Sequence, residues 1–375
     1  MQEKLNEVGC GTFCSVRAGL DTSLSSTGGN LALYESNIPL MNYGLGSKRL
    51  AGLAIQQLAA SGKSILILDE VEQGLEPHRL VRLIRYIQSD ETYSQVFITT
   101  HSPVAVEQAS TENLAVAQNV DGNMNINFLP EDTRTLQLRR SRPSSFLGRR
   151  VVITEGKTEE GFLIELINRE DQRRLADGQT VAAGLGLVVQ DGEGGSEVPL
   201  RAIAMLNLGY NVAMFLDNDV RDIDRNVAKA EKLGAEVIRW DVGNNTEKQI
   251  AKSLKISGLS SLLELGVEIR NTQQTVLNDL KAAGLPNDSS SLDVSTWLRD
   301  SSLAEDAARQ IIAAAMVDTK WFKLVDNGKL LAAWVFDHID LFKDSSVQNT
   351  IALLKLYIYQ EVKSQDVSEG AQDVG

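Results

Sequence analysis

The sequence predicts two α/β units in succession, followed by a mainly helical region. Three observations carry that prediction. Short apolar runs recur with helical stretches between them, at Ile65–Leu68, Val96–Ile98, Val151–Ile153 and Val212–Leu216. Three of these runs lead into acids, Asp69, Glu155 and Asp217, at the carboxyl edge where parallel sheets gather their chemistry. From Leu259 onward the pattern turns helical.

The elements follow in order. A helical pattern surrounds Leu50–Ala60, a buried strand is expected over Ser64–Asp69, a helix over Pro77–Ser89, and a second strand over Gln95–Thr100. These make a first domain over 1–128. The stretch 129–148 breaks the pattern: Arg134, Arg139, Arg140 and Arg142 flank Pro143-Ser144-Ser145, Arg149 and Arg150 follow, and no acid comes after Asp132. It reads as a basic linker. Strands expected at Arg150–Thr154, Leu185–Gln190, Asn211–Leu216 and Glu236–Trp240 define a second α/β domain over 149–258. A helical region over 259–375 contains a loop at Leu285–Ser291 and ends in an acidic, frayed tail after Lys363.

Composition narrows the class. A chain of 375 residues has room for two or three cores. With 43% apolar and 23% charged residues it has the balance of a soluble globular protein. No apolar run is long enough to cross a bilayer, and the polar, acidic opening residues do not form a secretory signal. Cys10 and Cys14 cannot supply a disulfide framework and are poorly spaced for zinc, so a cytoplasmic setting is expected. The net charge of −13 argues against coating nucleic acid by bulk attraction. It leaves room for a local basic patch, and carboxylates gathered at a metal site would add to it.

Four motifs occupy the first unit. Tyr43-Gly44-Leu45-Gly46-Ser47-Lys48-Arg49 opens a helix with small residues and free amides. Ile65–Leu68 leads into Asp69-Glu70, placing carboxylates where Mg²⁺ and an attacking water would sit. Gly74-Leu75-Glu76-Pro77 follows, and Val96–Thr100 ends at His101. Each motif is common alone, and an apolar strand ending in acids is often no more than that. In this order they resemble the signature helix, Walker B strand, D-loop and switch histidine of ABC-type ATPases, with Gly46, Ser47, Asp69, Glu70 and His101 as the matching residues. The phosphate loop G-x-x-x-x-G-K-[S/T] is missing: Gly62-Lys63-Ser64 has Gln57 where the first glycine belongs, and it leads into a strand. The lobe is therefore incomplete. Little or no ATP hydrolysis is expected of this chain alone, and ATP would act only in a completed ATPase assembly.

The second unit carries acids at two strand ends. Glu155 follows Val151–Thr154 in Glu155-Gly156-Lys157-Thr158-Glu159, where Thr158 is expected to cap the next helix and Glu159 or Glu160 to favour its positive end. Asp217-Asn218-Asp219 follows Val212–Leu216. Alternate residues of an extended segment face one way, so Asp217 and Asp219 can address one cluster. With Glu155 they make a hard-oxygen set suited to Mg²⁺ or Mn²⁺. Solvated strand-end acids are the plainer reading of either motif alone. Together they resemble the TOPRIM fold shared by topoisomerases, primases, recombination mediators and certain nucleases.

A partial ABC lobe followed by TOPRIM resembles the OLD (overcoming lysogenization defect) family of ATP-linked nucleases, whose relatives act in phage defence. Asp191-Gly192-Glu193-Gly194-Gly195 resembles that family's glycine-rich turn, Trp240–Glu247 its later acidic motif, and Lys320-Trp321-Phe322-Lys323 a late basic motif. The resemblance spans about Tyr43 to Lys323 and implies a two-metal DNA endonuclease. Glu155, Glu159, Asp217, Asp219 and Glu247 would be its metal ligands, and Lys320 or Lys323 would approach the scissile phosphate. It also implies DNA as partner, a homodimer or higher oligomer, and a partner helicase or the missing ATPase lobe, with no membrane. Three other classes compete. A topoisomerase would need a nucleophilic tyrosine, and Tyr357 and Tyr359 lie in an apolar helix. A primase would need a template-binding module. An SMC- or RecF-like clamp in DNA repair would leave Asp217-x-Asp219 unexplained.

Overall fold

The structure, a computed structural model, describes residues 1–8, 13–21, 30–60, 62–120, 122–131, 133–220, 222–300 and 303–360. It divides into two compact units. One comprises Met1–Ala115 with Phe128–Leu147, and the other Val116–Asn127 with Gly148 onward. Cys10, Asp132 and the tail after Lys363 lie outside the described residues.

The first unit begins with α1 (Gln2–Val8) and an antiparallel sheet of β1 (Val16–Asp21), β2 (Asn30–Glu35) and β3 (Ile38–Pro39), none of them foreseen from the sequence. Then come α2 (Leu45–Ala59), β4 (Ser64–Leu68), α3 (Pro77–Ser89), β5 (Tyr93–Ile98) and α4 (Pro103–Gln108). Helix α3 starts with proline at its first turn, where a missing N–H costs nothing. It buries Leu80, Leu83, Ile84 and Ile87, the stripe that a helical repeat produces, against α2 and Leu66 of β4. Strands β4 and β5 pair in parallel with Leu68 opposite Ile98. They form a sheet of two strands, covered on one face. Ile65, Ile67 and Phe97 are 59%, 73% and 52% exposed, so the expected buried strand is buried on one side alone.

A two-stranded ribbon, β6 (Ala115–Val120) and β7 (Asn123–Phe128), follows and clusters mostly with the second unit, where the Asn127 side-chain amide donates to Leu208 O at 3.2 Å. The stretch expected to be a linker is folded: α5 (Thr133–Ser141) and a 3-10 turn, Pro143–Leu147, bury Leu138 and Phe146. Arg139 is buried as well. Its guanidinium donates to Val106 O at 3.4 Å, to Ala109 O at 2.6 Å and to Glu107 O, satisfying the last carbonyls of α4. A charge run that looks solvated in sequence is thus partly a helix cap.

The second unit continues with β8 (Arg150–Thr154), α6 (Lys157–Ala176), β9 (Leu187–Asp191), α7 (Val198–Asn207), β10 (Asn211–Leu216), α8 (Asp224–Lys232) and β11 (Glu236–Arg239). Helices α9 (Thr246–Ser253), α10 (Ile256–Arg270), α11 (Gln273–Ala282), α12 (Val294–Asp300), α13 (Glu305–Asp318), α14 (Val325–Asp337) and α15 (Ser346–Tyr359) complete it. The sheet is parallel throughout, in the order β11-β10-β8-β9. Every residue of β8 is buried, as a strand covered on both faces requires. This is the α/β arrangement expected of a TOPRIM unit.

The helices after Leu259 do not form a separate region. Leu262, Trp297, Trp321 and Leu354 share one core with Phe215 and Trp240 of the sheet edge, so a boundary at 258 would cut through it. The sheet's apolar face needs that cover, a requirement that local periodicity does not reveal. The buried Arg150 guanidinium donates to Tyr357 O and Ile358 O at 3.0 and 3.2 Å and holds the end of α15. Helices α6 and α14 meet at Gly161 and Gly328. A Cβ on Gly161 would stand 2.1 Å from Val325 O, so glycine is required there.

A carboxylate cluster at the sheet edge

The parallel register aligns the ends of the strands. Thr154 stands opposite both Phe215 and Asp191, and Leu216 opposite Arg239. Glu155, Asp191, Asp217 and Trp240 therefore share one edge. The Asp217 N–H donates to Glu155 Oε2 at 3.0 Å, which locks the two strand ends together. The glycine-rich turn closes over Glu155: Gly194 N–H donates to Glu155 O at 2.9 Å, and a Cβ on Gly195 would lie 2.8 Å from Glu155 Oε1. Glycine here makes room for the carboxylate. Lys157 ties the turn to α6 through Asp191 at 2.6 Å and Glu160 at 3.0 Å.

Helix α6 contributes Glu159 from its first turn and α9 contributes Glu247, both buried. Thr158 does not cap α6, which begins after Gly156 without a side-chain cap. Its hydroxyl instead donates to Phe322 O at 3.0 Å and lies 3.5 Å from Glu247 Oε1. That contact anchors the segment carrying Lys323, whose Nζ stands 3.8 Å from Glu247 Oε1. Lys320 is exposed beyond the end of α13, with φ +57°, and is not paired with the cluster. The two lysines are close in sequence, and the structure brings only Lys323 to the acids.

Asp217 and Asp219 differ in environment. Asp217 is buried, whereas Asp219 is exposed and 3.7 Å from Lys248 Nζ. Between them Asn218 is clamped, its N–H donating to Asn244 O at 2.9 Å and its side chain to Trp240 O at 2.8 Å.

The electrostatics follow from crowding. Burial pushes the Asp217 carboxyl far above its ordinary range, and Glu159, Glu155 and Glu247 push it further against the opposing pull of Lys323. Burial likewise raises Glu155, with Glu159 and Asp219 adding to the effect and the Asp217 N–H and Lys323 opposing it. Glu247 is raised by burial, with Lys323 opposing and Glu159 adding. Burial lowers the Lys323 ammonium, but Glu247, Glu159, Asp217 and Glu155 outweigh it and leave the ammonium raised. One lysine offsets several buried acids.

The donor set fits a hard divalent cation by chemistry: it is all carboxylate, it is mutually repelling, and Glu247 Oε2 is buried without a hydrogen-bond partner. Among the described residues no group of three or more His, Cys, Asp or Glu is arranged to hold a metal ion. The acids are therefore neighbours, not a closed coordination shell.

The four motifs that resemble those of ABC-type ATPases lie in the first unit. Gly46 is the second residue of α2, where a Cβ would stand 2.1 Å from Gly74 O, so the backbones of the motifs at Gly46 and Gly74 touch. Arg49 donates to Glu70 O at 2.6 Å and to Asp69 O, and Thr99 Oγ1 accepts from Glu70 N–H at 2.9 Å while donating to Asp69 Oδ1 at 2.5 Å. Ser47 Oγ accepts from Arg79 at 3.3 Å, and His101 N–H donates to Glu72 Oε1 at 2.6 Å. Gly62-Lys63 is an exposed lead-in to β4. The sequence passed over Arg49 and Glu72 in the first unit, and Lys157 and Thr246 in the second. Each lies inside or beside a quoted motif, yet its role depends on contacts distant in the chain.

The sequence matches the family described as AAA domain, putative AbiEii toxin, Type IV TA system, over residues 25–107, a span that includes the four motifs of the first unit. The structure is similar to the C-terminal region of the Burkholderia pseudomallei OLD protein, at 13% identity and TM-score 0.30, covering 56% of this chain and 98% of that one. It is also similar to the C-terminal region of the Xanthomonas campestris pv. campestris OLD protein, at 14% identity and TM-score 0.27, covering 52% and 99%. No curated protein matches the sequence. No described helix is long and apolar enough to cross a membrane.

Proposed function

We propose that this chain is a divalent-metal-dependent DNA endonuclease of the OLD type. The observation that carries the reading is the crowding of the buried acids Glu159, Asp217 and Glu247 and the half-buried Glu155, opposed by Lys323, at the carboxyl edge of a parallel sheet. Carboxyls raised by burial and by one another cluster at functional sites. Glu155, Glu159, Asp217, Asp219 and Glu247 would hold two Mg²⁺ or Mn²⁺ ions. When bound, these would supply an activated water and stabilise the leaving oxygen. Glu155 and Asp217 give the site a fixed floor, since Asp217 N–H holds the Glu155 carboxylate. Lys323 would offset charge on the phosphate in flight. DNA is the proposed substrate, with exposed Arg140 and Arg149 available to its backbone. A homodimer, and ATP bound by a completed ATPase lobe, would belong to the working assembly, and a partner helicase fits the same family reading.

The topoisomerase reading loses support at its nucleophile. Tyr357 and Tyr359 are buried, their hydroxyls bonded to Val151 O at 3.4 Å and Asp171 Oδ1 at 2.7 Å, and burial raises both pKa values. The test is cleavage of supercoiled plasmid with Mg²⁺ or Mn²⁺ and no ATP. Metal-dependent nicking or linearisation by the wild type, lost in Asp217→Ala, is the expected result. Retained cleavage in Asp217→Ala would overturn the assignment.

A further inference from the structure

Thr246, the first residue of α9, stands between two of the acids and is fully buried. Its backbone N–H donates to Asp217 Oδ1 at 3.0 Å. Its hydroxyl oxygen lies 2.6 Å from Glu159 Oε1 and 3.4 Å from Asp217 Oδ1. The third neighbour decides which acid receives the hydroxyl proton. Trp240 Nε1 is 2.8 Å from Thr246 Oγ1, and an indole nitrogen can only donate. With that lone pair occupied, the single hydroxyl proton is left for the carboxylates, and the shorter contact sends it to Glu159. Asp217 is served by the backbone N–H of the same residue.

The indole is itself held in place. Trp240 packs edge-on against Phe162 of α6 and Phe215 of β10, with ring centroids 5.9 and 5.4 Å away. Its N–H therefore points along a fixed line. Three elements converge on one threonine: Trp240 after β11, Asp217 after β10 and Glu159 in α6. Main chain and side chain of Thr246 together fix the spacing between an acid on a strand end and an acid on a helix.

We propose that Thr246, with its hydroxyl proton directed by Trp240, is the positioning residue that presents Glu159 and Asp217 to a divalent cation. The inference rests on the metal-dependent reading above and deepens it. Thr246 touches no substrate in this scheme. It acts through the two carboxylates, as outer partners of metal ligands do.

The experiment is Mn²⁺ titration by calorimetry on the full chain, for wild type, Thr246→Val, Thr246→Ser and Trp240→Phe, each held well below its own unfolding midpoint. Thr246→Val keeps the branched shape and the backbone N–H but removes the hydroxyl. It is expected to weaken Mn²⁺ binding by about 10- to 100-fold. Thr246→Ser restores the hydroxyl and is expected to recover most of that affinity, a rescue that packing alone would not produce. Trp240→Phe frees the hydroxyl to turn towards Asp217 and is expected to give an intermediate loss. Wild-type affinity in both Thr246→Val and Trp240→Phe overturns the proposal and leaves the nuclease reading standing. No Mn²⁺ binding by the wild type overturns both. If Thr246→Val does not fold, Trp240→Phe decides: reduced affinity supports the proposal and unchanged affinity overturns it.

Discussion

At the scale of single residues, Asp217 shows how a proposed metal site shapes the protein in the absence of metal. Its carboxyl is raised in the fold, by burial first and neighbouring acids second, while in the unfolded chain it titrates near the ordinary value of about 3.9. Above that value the folded state holds a proton that the unfolded state has lost. The stability from this group is complete below the unfolded pKa and drains away as pH climbs towards the raised one, by at most about 1.4 kcal/mol per pH unit. In chelator, urea unfolding midpoints should fall from pH 5 to pH 8. Asp217→Asn should flatten that fall and be the more stable protein at the upper end, whereas a steeper fall in the variant would contradict the burial argument. Lys323 makes a second case. Lys323→Ala should reduce plasmid cleavage by about 100-fold or more, the usual scale for losing a group that meets developing charge. Lys320→Ala, at an exposed position, should cleave nearly as the wild type does, and the comparison is read from initial rates.

Elements bring such residues together, and their own requirements are strict. Lys323 reaches Glu247 because α14 lies close against α6, and the closeness depends on Gly161 facing Gly328. A methyl at Gly161 would stand 2.1 Å from Val325 O, a backbone atom with no flexible end to yield. Gly161→Ala should therefore cost about 2–3 kcal/mol in denaturant unfolding. It should also weaken cleavage even where the protein remains folded, because α14 carries the lysine segment outward. Full stability in the alanine variant would show that the helices can separate freely. Element types were legible because periodicity is local: β8, β10 and α3 fall where the pattern of apolar residues sets them. The sheet of β1–β3 and the β6–β7 ribbon were not, although β2 carries Leu31-Ala32-Leu33 and β6 carries Ala115-Val116-Ala117: these strands lack the strand–helix–strand alternation by which the others were read.

For the whole molecule, the first unit is notable for what its sheet leaves open. Two parallel strands rarely stand alone, and Ile65, Ile67 and Phe97 face solvent on one side of β4 and β5. Ile67→Lys should thus leave unfolding stability within about 0.5 kcal/mol, as surface changes do. It should also reduce self-association seen by light scattering. A large loss of stability would mean that this face is covered in solution.

The order of motifs along the chain was readable from the sequence alone: four that resemble those of ABC-type ATPases, then an acid after one strand and an Asp-x-Asp after another. Local spacing determines these, because a strand's end and a helix's start depend on near neighbours. Tertiary structure decided what those acids are to one another. It buried Asp217 and exposed Asp219, chose Lys323 over Lys320, turned Arg139 from a linker charge into a cap, and set Thr246 between Glu159 and Asp217. Burial and contact depend on residues far apart in the chain, Glu159 and Thr246 among them, and only the packed fold brings these to hydrogen-bond distance.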